Sequence, residues 1–107
     1  MKPDEFRAAV LKIAGAVEAA HMNHPDFRVN GRIFASLGYP DDDWGMVKLT
    51  PAQQREFMIE APDMFSPCAG AWGKVGATGV HLASAKKRIL TKALRAAAQN
   101  IIKPGKS

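Results

Sequence analysis

Pro25, Gly31, Gly38, Pro40 and Gly45, with Pro51 following, cut the chain after Val17 into pieces too short for packed helices. Proline withholds a backbone donor and glycine loses the most conformational freedom on ordering, so neither continues a helix well. The pieces have strand composition instead. Phe27, Val29, Ile33, Phe34, Ala35 and Leu37 flank Asn30 and Gly31, a pair that tolerates positive φ at both positions and so closes a two-residue hairpin. The pattern predicts strands over about residues 26–29 and 32–38. A polar turn follows over Tyr39 to Asp43, then another strand carrying Trp44, Met46, Val47 and Leu49. A less sharply defined strand falls near residues 17–22. Together these make an antiparallel meander.

Helical periodicity brackets the meander. Phe6, Val10, Ile13 and Val17 recur at spacings of four, three and four, which predicts a helix over about residues 3–16, with Pro3 in its first turn and Asp4 and Glu5 at the positive end of its dipole. Thr50, Pro51 and Gln53 form a capping-box start for a helix of about residues 51–61, anchored by Phe57 and ended by Pro62. The Gly- and Pro-rich segment from Ser66 to Gly79 holds Trp72, Lys74 and Val75 ahead of the alternating Val80, His81 and Leu82, and a second hairpin is expected there. Ser84 is the expected cap of a closing helix with Ile89, Leu90, Ala93, Leu94, Ala97 and Ile101 on its apolar face and Arg88, Lys92, Arg95, Gln99 and Lys103 opposite. The expected class is α+β: an antiparallel sheet with N-terminal, middle and C-terminal helices, one domain over residues 1–103 and a disordered tail over 104–107.

With 47% apolar and 23% charged residues, the composition is ordinary for a globular chain and excludes collagen-like or disordered classes. Lys2, Asp4, Glu5, Arg7, Lys12 and Glu18 interrupt the first 20 residues, so no signal peptide or membrane span is expected and the setting read from the sequence is cytoplasmic. Cys68 is the only cysteine, which excludes an intrachain disulfide and a cysteine-rich zinc site. The net charge of +5 hides an asymmetry. Residues 1–63 carry ten acids against seven Lys or Arg, net −3, and residues 64–107 carry eight bases and no acid, net +8. Such a half fits a polyanion partner, or it solubilises a terminal helix.

No residue set assembles into a catalytic site, and neither metal nor cofactor is expected. His21 and His24, with Glu18 and Asp26 nearby, would converge on a metal if helical, but Pro25 places them in extended chain, where histidines bond at strand ends. His81, in an expected strand of its own, is read the same way. Asp41, Asp42 and Asp43 lack the alternating oxygens and downstream glutamate of a calcium loop and read as a solvated turn. Nothing near Cys68 marks a depressed thiol. Gly70, Gly73, Gly76 and Gly79 lack the strand and helix context of a phosphate loop and are expected to make tight turns and let Trp72 pack closely. Trp44 and Trp72 are expected in the core rather than as base-stacking platforms.

Two segments carry a resemblance. His24 to Ala35, then Pro62, Phe65, Ser66, Pro67, Gly70, Trp72, Gly73, Lys74 and Gly76, with the capped helix between, resemble the MmcQ/YjbR family of small bacterial proteins over nearly the whole chain. The chain departs from the family's pattern at Ala77, where an aromatic is common. The resemblance implies a fold similar to the "double wing" domain of the phage transcription factor MotA, and DNA binding as the activity. The expectation is therefore a non-enzymatic protein that grips DNA backbone through Arg28, Arg32, Lys74, Lys86, Lys87, Arg88, Lys92 and Arg95. The rival expectation is a protein- or small-ligand-binding module with a pocket between the sheet and the terminal helices, lined by His21, His24, Cys68 and Trp72.

Overall fold

Strands form where the breakers demand them. The computed structural model describes residues 1–21 and 24–103; Met22 and the expected tail lie outside the described residues. The order is α1 (Pro3–Leu11), β1 (Val17–His21), β2 (His24–Val29), β3 (Arg32–Leu37), β4 (Trp44–Lys48), α2 (Pro51–Glu60), β5 (Phe65–Pro67), the single turn α3 (Ala71–Lys74), β6 (Ala77–His81), a 3-10 turn (Leu82–Ser84) and α4 (Lys87–Ile102). The strands form one antiparallel sheet in the order β1-β2-β3-β4-β6-β5. The chain is α+β, as its breakers and periodicities require.

Asn30 (φ 52°) and Gly31 (φ 77°) close the β2–β3 hairpin in the left-handed region. One residue later the ladder slips: Phe27 faces Ala35 but Arg28 faces Ile33, so Phe34 is bulged. The bulge lets Phe34 and Ala35 both turn inward, where each is fully buried. With Phe27, Leu37, Val47 and Val80 they line the covered face of the sheet, against which α1 sets Phe6 and Val10 and α4 sets Leu90, Ala93, Leu94 and Ala97. Gly45 makes the approach of α1 possible, because a Cβ there would lie 2.7 Å from the Phe6 ring.

The capping box of α2 forms as read: Gln53 N–H donates to Thr50 Oγ1 (3.1 Å) and Thr50 N–H to Gln53 Oε1 (3.0 Å). Buried Gln54 points its amide at the carbonyls of Gly73 and Ala77 and at Thr78 Oγ1, each 3.1 Å away, tying α2 to α3 and β6.

Four expectations are corrected. The first helix ends at Leu11 rather than near residue 16, since the chain turns through Gly15 (φ 81°), and Val17 lies exposed in β1. The second hairpin is real as a β5–β6 pair, yet its connection is helical, so Trp72 and Lys74 sit in α3 and not in a strand. The closing helix is preceded by Lys86, not Ser84, because Leu82–Ser84 form a separate 3-10 turn. Trp72 is 57% exposed; the glycine that admits a close aromatic is Gly79, beneath the half-buried ring of Trp44.

Candidate functional site

The sheet has one covered face and one open face, and the expected basic residues divide between opposite sides of the molecule. Alternation along β2, β3 and β4 sends Phe27, Ala35 and Val47 under the helices and sends Asp26, Ser36 and Met46, paired across neighbouring strands, to the open face.

On the helix side, α4 turns its apolar stripe to the sheet and leaves Lys87, Arg88, Lys92 and Arg95 exposed, with Lys86 exposed just ahead of it. Lys86 is the N-cap and Lys87 and Arg88 open the helix, so three cations sit at its positive end with no acid in the first turn and no side-chain cap. Cations at that end cost roughly 0.3–1 kcal/mol each through the helix dipole. Lys92 is held by Glu60 (3.0 Å), whereas Lys86, Lys87, Arg88 and Arg95 have no ion pair among the described residues. Lys87 and Arg95 share a groove of about 540 Å³ with Lys12, Thr91 and Gln99, where α1 ends beside α4. Lys12 was not anticipated from the sequence, because a lone lysine at a helix end carries no signal until α4 is laid beside it.

Arg28 and Lys74 lie elsewhere. Arg28 projects from β2 on the Asp26 side and is clamped to that carboxylate in a fork, Nε to Oδ1 at 2.9 Å and Nη2 to Oδ2 at 3.2 Å. The hydrogen bonds and charge of Asp26 hold the guanidinium pKa above its ordinary value. Asp26 itself is buried, so Arg28 is spent on neutralising a carboxylate that would otherwise be costly there. Arg32 stands exposed just after the hairpin turn, and Lys74 stands exposed at the end of α3.

The open face carries a second cavity, also about 540 Å³, lined by His24, Pro25, Asp26, Ile33, Ser36, Tyr39, Met46, Cys68, Ala69 and Trp72. Of the residues expected in a pocket, His24, Cys68 and Trp72 are brought together here; the side chain of His21 lies outside the described residues. This cavity takes no lining residue from α1 or α4, which line the other groove instead. Tyr39 meets the His24 ring edge-on (6.4 Å between centroids), and Lys48 Nζ stands 5.3 Å from the Trp72 ring centroid. Tyr39, Ser36, Met46 and Lys48 are additions to the sequence reading. The period-2 alternation of β4 separates Met46 and Lys48 from Val47, and was the available signal for two of them.

Burial pushes the Cys68 thiol pKa up, which suits a lining residue and not a nucleophile. His81 stacks on Trp44 (4.8 Å) with Ser84 Oγ 3.4 Å from its Nδ1. Among the described residues no three His, Cys, Asp or Glu side chains converge as metal ligands, and no helix is long and apolar enough to cross a membrane.

These features define an α+β protein with a six-stranded antiparallel sheet, a basic helix behind it and an open face in front. The solved structure of Deinococcus radiodurans protein DR2400, which carries the family domain DUF419, shares the fold: TM-score 0.76 at 17% sequence identity, over 99% of this chain and 82% of that one. No protein-family profile matches the sequence. No curated protein matches it either.

Proposed function

We propose that this is a non-enzymatic, cytoplasmic DNA-binding protein that grips duplex phosphates with the outer side of α4 and the end of α1. The observation that carries the reading is the start of α4. Lys86, Lys87 and Arg88 crowd the positive end of a helix that has neither acid nor cap there, an arrangement that opposes stability and favours an incoming anion. Lys12 and Arg95 extend the patch along the α1–α4 groove. The resemblance of the sequence to the MmcQ/YjbR family, and through it to the double-wing fold, supports the same partner. Arg28 is set aside as a principal contact, since Asp26 occupies its fork; Arg32 and Lys74 remain as outlying cations. Contacts of this kind give affinity without sequence preference.

Fluorescence anisotropy of a labelled mixed-sequence duplex across a salt series tests this. Each neutralised phosphate adds about −0.9 to the log-log salt slope, so replacing Lys87, Arg88 and Arg95 by glutamine should flatten it by about 2–3. Arg28→Gln should change it by less than about 1. Absence of binding at low salt overturns the reading.

A further inference from the structure

We infer that the open-face cavity is a nucleotide site, in which a flat heteroaromatic base stacks on Trp72 and its phosphate lies beside Lys48. This does not rest on the duplex reading, which concerns the opposite side of the sheet.

Trp72 carries the argument. An indole 57% exposed on a cavity rim forgoes most of the stabilisation that burial would give it. A base face restores that contact, and such stacking is tolerant of base identity. Tyr39, 64% exposed, supplies a second ring to the lining. The polar groups of the lining match a base edge: the Ser36 hydroxyl has no hydrogen-bond partner among the described residues, and the His24 imidazole lies in the lining. The volume of about 540 Å³ lies within the usual range for small-ligand sites, roughly 300–1,000 Å³.

Charge orients the ligand. The one carboxylate in the lining, Asp26, is neutralised by the fork of Arg28 and does not repel a phosphate. Past Tyr39 the turn carries exposed Asp41, Asp42 and Asp43, which disfavours an anion at that rim. Lys48 stands at the Trp72 rim and forms no ion pair among the described residues. The anionic tail therefore lies at Lys48, with the base on Trp72 and its polar edge towards Ser36. Two sources share this chemistry: a free nucleotide, and an unpaired nucleotide within a single strand.

Titration calorimetry of the intact protein with adenosine 5′-monophosphate, with adenosine, and with single-stranded pentadeoxyadenylate tests it. Trp72→Ala, a change at an exposed ring, should weaken the monophosphate by roughly 5- to 150-fold, and Trp72→Phe should recover part of the loss. Lys48→Gln should weaken the monophosphate several-fold and leave adenosine unchanged. Binding of the pentamer at least about ten-fold tighter than the monophosphate assigns the single strand as source, and parity assigns the free nucleotide. Failure of all three probes to bind at millimolar concentration overturns the proposal, as does binding indifferent to Trp72→Ala. Replacing Lys87, Arg88 and Arg95 should leave monophosphate binding intact, so failure here and failure of the duplex reading are separately visible.

Discussion

The two faces of the sheet are built from the same strands and obey different rules. On the covered face Phe27, Ala35, Leu37, Val47 and Val80 are apolar and buried beneath the helices, and their contribution is packing. On the open face the alternate residues are Asp26, Ser36, Met46 and Lys48, of which Asp26 and Met46 are buried, while Trp72 and Tyr39 at the cavity are largely exposed. The exposed side chains of that face, Trp72 and Tyr39, can therefore be changed without touching the packing of the covered face.

The largest effect belongs to the covered face. Phe27→Ala removes a fully buried ring that meets Phe6 at 6.4 Å and should cost about 3–5 kcal/mol in chemical denaturation. Trp72→Ala should cost less than about 1 kcal/mol in the same assay, and a loss equal to that of Phe27→Ala would break the contrast between the faces. Gln54→Leu removes the amide that bridges the Gly73 and Ala77 carbonyls, each of which keeps a backbone donor (Gly76 N–H and Cys68 N–H), and should cost about 1 kcal/mol, loosening α3 and with it the Trp72 rim. The Lys87, Arg88 and Arg95 glutamine triple should raise unfolding free energy by about 0.5–2 kcal/mol while altering the salt slope, because Lys87 and Arg88 leave the positive end of the α4 dipole.

Cys68 gives the smallest and most local readout. Burial raises the folded thiol's pKa, so the folded protein keeps its proton at mildly alkaline pH while the unfolded chain loses it. Stability falls as pH rises above the unfolded thiol's pKa. Iodoacetamide should label native Cys68 several-fold more slowly than the denatured chain, and bound nucleotide should slow it further.

The covered face was legible because its signals are local. Asn30–Gly31 fixes a hairpin, Thr50 with Gln53 fixes a helix start, and the stripe from Ile89 to Ala97 fixes the inner side of α4. Elements that depend on distant partners were legible only in part: a second hairpin was expected, but not its helical connection or its strand bounds. β5 is three residues long and exists through its pairing with β6, across an intervening helical turn. β6 does not alternate, since Ala77, Thr78, Gly79 and Val80 are all buried, with Thr78 satisfied by Gln54 of α2. The basic side chains of α4 could be named from the sequence, but their separation from Arg28 by the thickness of the sheet could not. Nor could Trp72 be placed, because its exposure follows from α3 replacing an expected strand.

Amide chemical-shift mapping of one labelled sample, titrated first with a mixed-sequence duplex and then with adenosine 5′-monophosphate, addresses the division of labour between the faces. The duplex should shift amides around Lys12 and from Lys86 to Arg95, and the nucleotide should shift those around Ser36, Met46 and Cys68 to Trp72. Both ligands shifting the same set, or neither shifting any, would contradict it.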